Sequence, residues 1–388
     1  MPEGKGTAEY RGEKNAGIFT ANGGRNKSEE KRQELYESGK NPEEKRVMKR
    51  IICMSEEKHS MKYEALGATE ISVSKICIGG MSFGKDEAHP DVWALDEKET
   101  EAMIGHAFDL GVNFIDTANA YAMGKSEEMI GKAVRSLGIP RDKIVIATKV
   151  FFNEGKLKKE AILREIDLSL KRLQMDYVDL YQIHRFDYDT PIEETMEALD
   201  SLVKAGKVRA LGTSAMYGYQ LHNMQLCAER NGWTLFSTLQ NHYNLLYRED
   251  EHELIPVAQQ YHMSLIPFSP LAAGHLARNT WNSGSARDQK DQTMHTKYDA
   301  SMESDMKIVN RVEETAKKYG VSMSEVALAW HYAKGVAAPI VGATKLSHFD
   351  QAVKSVDLTL SGEDVKYLDE LYVPHRLMGQ IQHDGKMY

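Results

Sequence analysis

The chain has 388 residues, of which 41% are hydrophobic, so it can bury a large core as one large α/β domain or as two ordinary ones. Its formal net charge is -8 and its acidic and basic residues are interspersed, which argues against a nucleic-acid partner. We predict no membrane helix and no signal peptide, because no apolar run approaches the ~20 residues that a span needs. Three widely spaced cysteines, Cys53, Cys77 and Cys227, predict free thiols in a reducing, cytoplasmic compartment.

Residues 1–60 differ in composition from the rest of the chain. They are rich in Gly, Asn, Glu and Lys and contain few large apolar side chains. Such a segment buries too little apolar surface to offset its conformational entropy, so we expect a disordered N-terminal extension. Met61 then begins MKYEALGATEISVSKICIGG, which we interpret as the start of a folded domain over residues 61–388.

From about residue 71, short β-branched runs alternate with longer helical patterns. Each helical pattern has apolar residues at i, i+3 and i+4. The predicted strands lie within 71–80, 113–118, 144–150, 177–184, 208–215, 235–243, 264–271 and 338–344. Eight β-then-α units without a break in composition predict a single closed (β/α)8 TIM barrel rather than two Rossmann domains.

Two segments exceed what a barrel needs. The polar stretch 278–305 is long enough to be a lid over a ligand, and a mobile surface loop is the alternative. A final helix is predicted within 361–373, followed by an irregular tail to which we assign no chemistry.

Polar or ionisable residues follow successive apolar strands. In a barrel these positions share one end, where active sites form. They are Asp116, Lys149, His184, Ser214, Gln240 and Ser269. Each residue alone is more often a cap, a loop salt bridge or a structural histidine, but together they predict a site.

The sequence DTANAYAMGK suggests a proton donor for carbonyl reduction. A free tyrosine titrates near ~10, so Tyr121 would need a neighbouring cation that favours its phenolate form. Lys149 could provide that cation, with Asp116 holding the ammonium charged and in place. A neutral His184 could donate a hydrogen bond to the substrate carbonyl.

Lys125 is the competing partner of Tyr121. The two form a YxxxK match like that of short-chain dehydrogenases, but those enzymes need a Gly-rich dinucleotide turn, which the sequence lacks. AMGKSEE is typical of a loop that enters a helix, with Ser126 as the N-cap and Lys125 in solvent. We therefore favour Lys149. A metal-dependent barrel enzyme built on His184 is a further alternative, although no two ligands have a usual spacing, and we predict no bound metal.

Several segments resemble aldo-keto reductases. They are GVNFIDTANAYAMGKSEEMIGKAV, ATKV, MDYVDLYQIHRFD and TPIEETMEALDSLVKAGKVRALGTSAM. The resemblance extends over about residues 61–374 and is strongest to bacterial members of the YajO-like branch, which is related to the potassium-channel β-subunits. It places the family's catalytic tetrad on Asp116, Tyr121, Lys149 and His184.

The resemblance also implies that NADPH binds across the mouth of the barrel. Ser214 and Gln240 match positions that hold the nicotinamide carboxamide, and Phe268 matches an aromatic that stacks on the ring. The residues that match the pyrophosphate loop are Ser269, Leu271 and Gly274, and those that match the adenosine-phosphate site are Gly342, Thr344, Lys345, His348 and Gln351. Lys345 suits a 2′-phosphate, which NADH lacks, so we favour NADPH.

Apolar residues after several strand ends suggest a pocket for small carbonyl compounds. They are Met81, Phe83, Phe151, Phe152 and Phe186. We therefore predict an NADPH-dependent reductase of aldehydes or ketones. The alternative is a redox-sensing protein that turns over slowly and reports cofactor occupancy to a partner through residues 1–60. The physiological substrate and the oligomeric state are not predicted.

Overall fold

The computed structural model describes residues 61–85, 94–282, 284 and 291–375. The predicted N-terminal extension, residues 1–60, and the tail from residue 376 lie outside the described residues.

The first folded element is a short antiparallel hairpin. Strand β1 (Tyr63–Ala65) pairs with β2 (Ser72–Ser74), and β3 (Cys77–Gly79) then enters a different sheet. The single strand predicted over 71–80 was therefore wrong. The Ser74 hydroxyl donates a hydrogen bond to the Ile76 carbonyl at 2.6 Å, and this local bond turns the chain between the two strands.

Eight parallel strands form the barrel. They are β3 together with β4 (Phe114–Asp116), β5 (Val145–Val150), β6 (Val178–Ile183), β7 (Val208–Ser214), β8 (Phe236–Gln240), β9 (Ser264–Leu265) and β10 (Ile340–Val341). Their order is β10-β3-β4-β5-β6-β7-β8-β9. Backbone hydrogen bonds from Ala337 to Leu265 at 3.0 Å and from Ile340 to Pro267 at 2.9 Å join the two end strands. The predicted (β/α)8 TIM barrel is confirmed.

The helices follow the strands and pack around them. Their bounds are α1 Glu97–Asp109, α2 Lys125–Ser136, α3 Lys159–Leu173, α4 Ile192–Lys204, α5 Gly218–Asn231, α6 Leu254–Gln260, α7 Gln292–Tyr298, α8 Met302–Tyr319, α9 Met323–Ala333, α10 Leu346–Lys354 and α11 Gly362–Asp369. In α3, for example, Ile162, Ile166 and Leu170 recur every four residues and are buried against the barrel.

The inside of the barrel is apolar at its amino-terminal end. Leu66 and Val73 of the hairpin region cluster there with Cys77, Phe114 and Val145, which are the first residues of β3, β4 and β5. The hairpin thus closes this end of the barrel with apolar side chains. The carboxyl-terminal end carries the polar residues that follow the strands.

Part of the predicted lid segment is packed rather than free. Residues 292–298 form α7, and Trp281, Met294 and Tyr298 are buried. The Tyr298 hydroxyl lies 2.8 Å from Nε2 of His242, which follows β8. The surface-loop alternative therefore does not hold for α7, which covers the barrel near the end of β8.

Gly131 marks the closest approach of two neighbouring helices. It lies inside α2, where glycine ordinarily weakens a helix. A Cβ atom at this position would overlap the carbonyl oxygen of Leu173, the last residue of α3. The missing side chain therefore allows the end of α3 to pack on α2.

We expect Gly131→Ala to lower the free energy of unfolding by about 1 to 3 kcal/mol, because backbone rather than a flexible side chain has to move. Gly362→Ala in α11 is the matched control, since a Cβ there would have no neighbour within 4 Å. Urea denaturation followed by Trp fluorescence compares the two. Equal stability of the two variants would show that the contact between α2 and α3 relaxes without cost.

Candidate active site

The strand ends bring the predicted polar residues together. Asp116 ends β4, and Lys149 lies one residue before the end of β5. In the parallel register Lys149 pairs with Gln182 of β6, and Ser214 at the end of β7 pairs with Gln240 at the end of β8. These side chains meet at the carboxyl-terminal end of the barrel, where barrel enzymes place their catalytic groups.

Lys149 is at the centre of this site. Its Nζ donates hydrogen bonds to Oδ2 of Asp116 and to the carbonyl oxygen of Thr117, each at 2.7 Å, and to the hydroxyl of Tyr121 at 3.2 Å. Burial lowers the pKa of Lys149, but the charge of Asp116 and the Tyr121 phenol more than offset this, so the pKa of Lys149 is raised. The group nearest the Tyr121 hydroxyl is therefore a fixed ammonium.

Lys125 points away from this arrangement. It is the first residue of α2, its side chain is 44% exposed, and it pairs with Glu128 at 3.0 Å. The predicted N-cap at Ser126 was wrong, because Gly124 occupies that position in the left-handed conformation. The Ser126 hydroxyl instead donates to the buried carbonyl of Gly80 at 2.8 Å.

The second oxygen of Asp116 is held by two amides. Gln182 Nε2 donates to Oδ1 of Asp116 at 3.0 Å, and Gln240 Nε2 donates to the same atom at 2.8 Å. Sequence reasoning missed Gln182, although it lies two residues before His184 and strand periodicity puts both on one face. The two amides fix the carboxylate that holds Lys149.

The chain bends sharply just after Tyr121. Ala122 and Met123 have positive φ values of 45° and 54°, which residues other than glycine rarely adopt. Gly84 packs against Ala122 so closely that a Cβ at Gly84 would overlap the Ala122 side chain. This constrained turn directs the phenol of Tyr121 towards Lys149.

His184 completes the group at the end of β6. Its ring lies edge-on to Tyr121, with centroids 5.8 Å apart, and edge-on to Phe152 at 4.9 Å. Burial, with smaller contributions from Lys149 and Arg185, holds the pKa of His184 well below its usual value, so the imidazole is neutral. Its Nδ1 has no hydrogen-bond partner among the described residues.

Three residues predicted to contact a nicotinamide already have protein partners. The Ser214 hydroxyl donates to the Gln240 carbonyl at 2.8 Å, and the Gln240 amide nitrogen is used by Asp116. The Phe268 ring stacks in parallel on His242 at 5.2 Å, so His242 covers one of its faces. The Lys297 Nζ also lies over the Phe268 ring, 5.2 Å from its centre, so the ring has two neighbours before any nicotinamide stacks on it.

The predicted pyrophosphate loop has an unusual backbone. Positive φ values occur at Ser269, Ala272, Ala273 and Gly274, at 53°, 48°, 55° and 103°. The Gly274 amide donates to the carbonyl of Leu271 at 2.8 Å. The Ala272 amide likewise donates to the carbonyl of Ser269 at 3.0 Å, so these two amides hold the turn itself and are not free for an anion.

The predicted adenosine-phosphate residues lie on the surface beyond β10. Gly342, Thr344, Lys345 and Gln351 are exposed, whereas His348 is partly buried. Lys345 is the N-cap of α10 and thus adjoins a helix N-terminus, which favours anions. Burial and the charge of Lys345 lower the pKa of His348.

The predicted substrate residues fall into two groups. Met81 and Phe152 are 58% and 44% exposed, and Phe186 is partly buried. Phe83 and Phe151 are buried in the hydrophobic core at 1% and 5% exposure. Only the first group offers apolar surface to a ligand at the mouth of the barrel.

The described residues contain no group of three or more His, Cys, Asp or Glu side chains placed to hold a metal ion. No helix within the same ranges is long and apolar enough to cross a membrane.

Comparison with known proteins identifies the class of this barrel. The family profile described as "Aldo/keto reductase family" matches residues 75–373. The chain is 40% identical to versiconal hemiacetal acetate reductase of Aspergillus parasiticus over 81% of this chain and 98% of the relative. It is 41% identical to a putative aryl-alcohol dehydrogenase of Schizosaccharomyces pombe over 82% of this chain and 98% of the relative. An aldo-keto reductase of Fusarium vanettenii is 39% identical over 82% of this chain and 92% of the relative.

The fold and these matches define an oxidoreductase built on a (β/α)8 barrel. The chain belongs to the aldo/keto reductase family. The relatives named above are fungal and do not place it in the bacterial branch.

We expect Lys149→Met to lower the free energy of unfolding by about 3 to 5 kcal/mol, because it leaves the buried Asp116 carboxylate without its cation. Lys125→Met removes the exposed pair with Glu128, and loss of that pair should cost about 0.5 kcal/mol or less. Urea denaturation at pH 7 measures both variants. A larger loss for Lys125→Met would contradict the assignment of Lys149 as the partner of Asp116.

Proposed function

We propose that the protein is an NADPH-dependent reductase of aldehydes and ketones in which Tyr121 is the general acid. One observation carries this proposal: Lys149 contacts both the Asp116 carboxylate and the Tyr121 hydroxyl. A cation fixed beside a phenol favours loss of the phenolic proton. Reduction of a carbonyl group requires such a proton on its oxygen.

Each residue of the site has a distinct task. Tyr121 donates its proton to the carbonyl oxygen, and the Lys149 ammonium stabilises the resulting phenolate. Asp116 keeps Lys149 charged and in position. His184, which is neutral, donates a hydrogen bond that orients the carbonyl and stabilises charge on its oxygen. Bound NADPH would supply the hydride.

The residues around the mouth fit this cofactor. The turn at Ser269 to Gly274 would hold the pyrophosphate through its remaining amides, and Lys345 at the N-terminus of α10 suits the 2′-phosphate that distinguishes NADPH from NADH. Ser214, Gln240 and the Phe268 ring would hold the nicotinamide. The remaining contacts would come from Leu271, Gly342, Thr344, His348 and Gln351.

The substrate class follows from the accessible apolar side chains. Met81, Phe152 and Phe186 give an apolar mouth, which suits aldehydes with a hydrophobic or aromatic body. The similarity to a putative aryl-alcohol dehydrogenase of Schizosaccharomyces pombe supports the same class. A cytoplasmic location, a single domain over residues 61–388 and membership of the bacterial branch stay predictions from the sequence.

We expect Tyr121→Phe to lower turnover at least ~100-fold while NADPH affinity stays nearly unchanged, because the lost hydroxyl acts on the proton and not on the cofactor. Absorbance of the reduced cofactor with a panel of aldehydes measures turnover, and quenching of Trp fluorescence measures binding. Turnover at the wild-type rate would remove Tyr121 as the acid. Wild-type protein that binds NADPH but turns over no aldehyde would favour the redox-sensing alternative.

Lys345→Ala tests the choice of cofactor. We expect NADPH affinity to fall about tenfold, because a charge-assisted contact with the 2′-phosphate is lost, and NADH affinity to stay nearly constant. Lys354→Ala, at the opposite end of α10, is the matched control. Equal loss for NADPH and NADH would contradict the role of Lys345.

A further inference from the structure

Arg185 has an unusual environment at the mouth of the barrel. It directly follows His184, and its Nη1 donates a hydrogen bond to the His184 carbonyl oxygen at 2.6 Å. Its Nε atom is buried without a hydrogen-bond partner among the described residues. No carboxylate within the described ranges forms an ion pair with it.

Other partly buried arginines of this protein do pair with acids. Arg172 lies 2.6 Å from a carboxylate oxygen of Glu127, and Arg248 lies 2.7 Å from one of Glu251. Arg141 pairs with buried Asp179 at 2.7 Å. A buried charge without a counterion is costly, so the exception at Arg185 requires a reason.

The remaining donors of Arg185 have the geometry of an anion site. Because Nη1 is used by the backbone, the edge formed by Nε and Nη2 is left with its two N–H groups pointing in parallel. This fork matches the two oxygens of a carboxylate or phosphate. Burial lowers the pKa of Arg185, and the Tyr121 phenol acts in the opposite direction. Because burial disfavours the charged guanidinium, a bound anion would stabilise it.

Arg185 lies close to the proposed catalytic residue His184. The guanidinium lies 5.8 Å from the centre of the Phe152 ring, and that ring in turn packs edge-on against His184. Phe152 is 44% exposed, so this group borders the open mouth of the barrel. A small molecule whose carbonyl meets Tyr121 and His184 can therefore reach Arg185 with a second group.

We propose that Arg185 is a specificity-determining residue that binds an oxyanion on the substrate, so that the preferred substrates are carbonyl compounds carrying a carboxylate or a phosphate. This inference rests on the proposed reductase function. It narrows the substrate class from apolar aldehydes to aldehydes in which an apolar body also carries an anionic group.

The test compares a charged aldehyde with a neutral one of similar shape. Wild type, Arg185→Met and Arg185→Lys are assayed with NADPH on 4-carboxybenzaldehyde and on its methyl ester. We expect Arg185→Met to lower kcat/KM for the acid about tenfold or more, chiefly through KM, because hydrogen bonds to the charged group are lost. The ester should change little, and Arg185→Lys should lie between the two because it keeps the charge but not the fork.

A second substrate pair identifies the anion. 4-Formylphenyl phosphate and 4-methoxybenzaldehyde are assayed in the same way, and a loss confined to the phosphate pair would assign the fork to phosphate rather than carboxylate. Arg230→Met, on the exposed end of α5, is the matched control and should leave all four substrates unchanged. Either selective loss supports the inference.

Three results would overturn it. Equal loss for charged and neutral substrates would show that Arg185 acts by holding the His184 backbone. Weaker NADPH binding by Arg185→Met, measured by Trp quenching, would assign the fork to the cofactor. Wild-type protein that binds NADPH but turns over none of the substrates would overturn the proposed function and this inference with it, a result distinct from the other two.

Discussion

The ion pair between Lys149 and Asp116 is buried at the carboxyl-terminal end of the barrel, and the rest of the site depends on it. Two charges out of water are stable only if their remaining hydrogen-bonding groups are satisfied. Here the Thr117 carbonyl takes a second bond from Lys149, and the amides of Gln182 and Gln240 hold the free oxygen of Asp116. The third donor of Lys149 points at Tyr121, so the same network that permits burial also positions the phenol.

The barrel makes this network possible because its two ends differ. The hairpin closes the amino-terminal end with apolar side chains, and the parallel register brings polar residues of neighbouring strands to the same height at the other end. The five strands β4 to β8 each contribute one side chain to the site. No single segment of the chain forms the site, so its geometry is a property of the closed sheet.

The sequence predicted the parts that depend on local patterns. Seven of the eight strand segments were visible as apolar runs, six of them followed by polar residues, and the absence of a Gly-rich turn favoured Lys149 over Lys125. Features that depend on three-dimensional neighbours were missed. Gln182 is one polar residue inside a strand, and only the register places its amide on Asp116. Ser126 is a residue type that favours N-caps, but α2 begins one residue earlier and its N-cap is Gly124.

Arg185 is another residue whose surroundings the sequence does not predict, and these surroundings bear on substrate specificity. The sequence places it after His184, but only packing leaves its Nε–Nη2 edge without an acid among the described residues. Lys149 is neutralised by Asp116, whereas no acid in the described part of the chain pairs with Arg185. The mouth therefore combines exposed aromatic surface at Phe152 with a cation that has no acidic partner in those residues. An aldehyde with only an apolar body would pack on Phe152 but leave the Arg185 guanidinium desolvated. A substrate that also carries an anionic group would contact both.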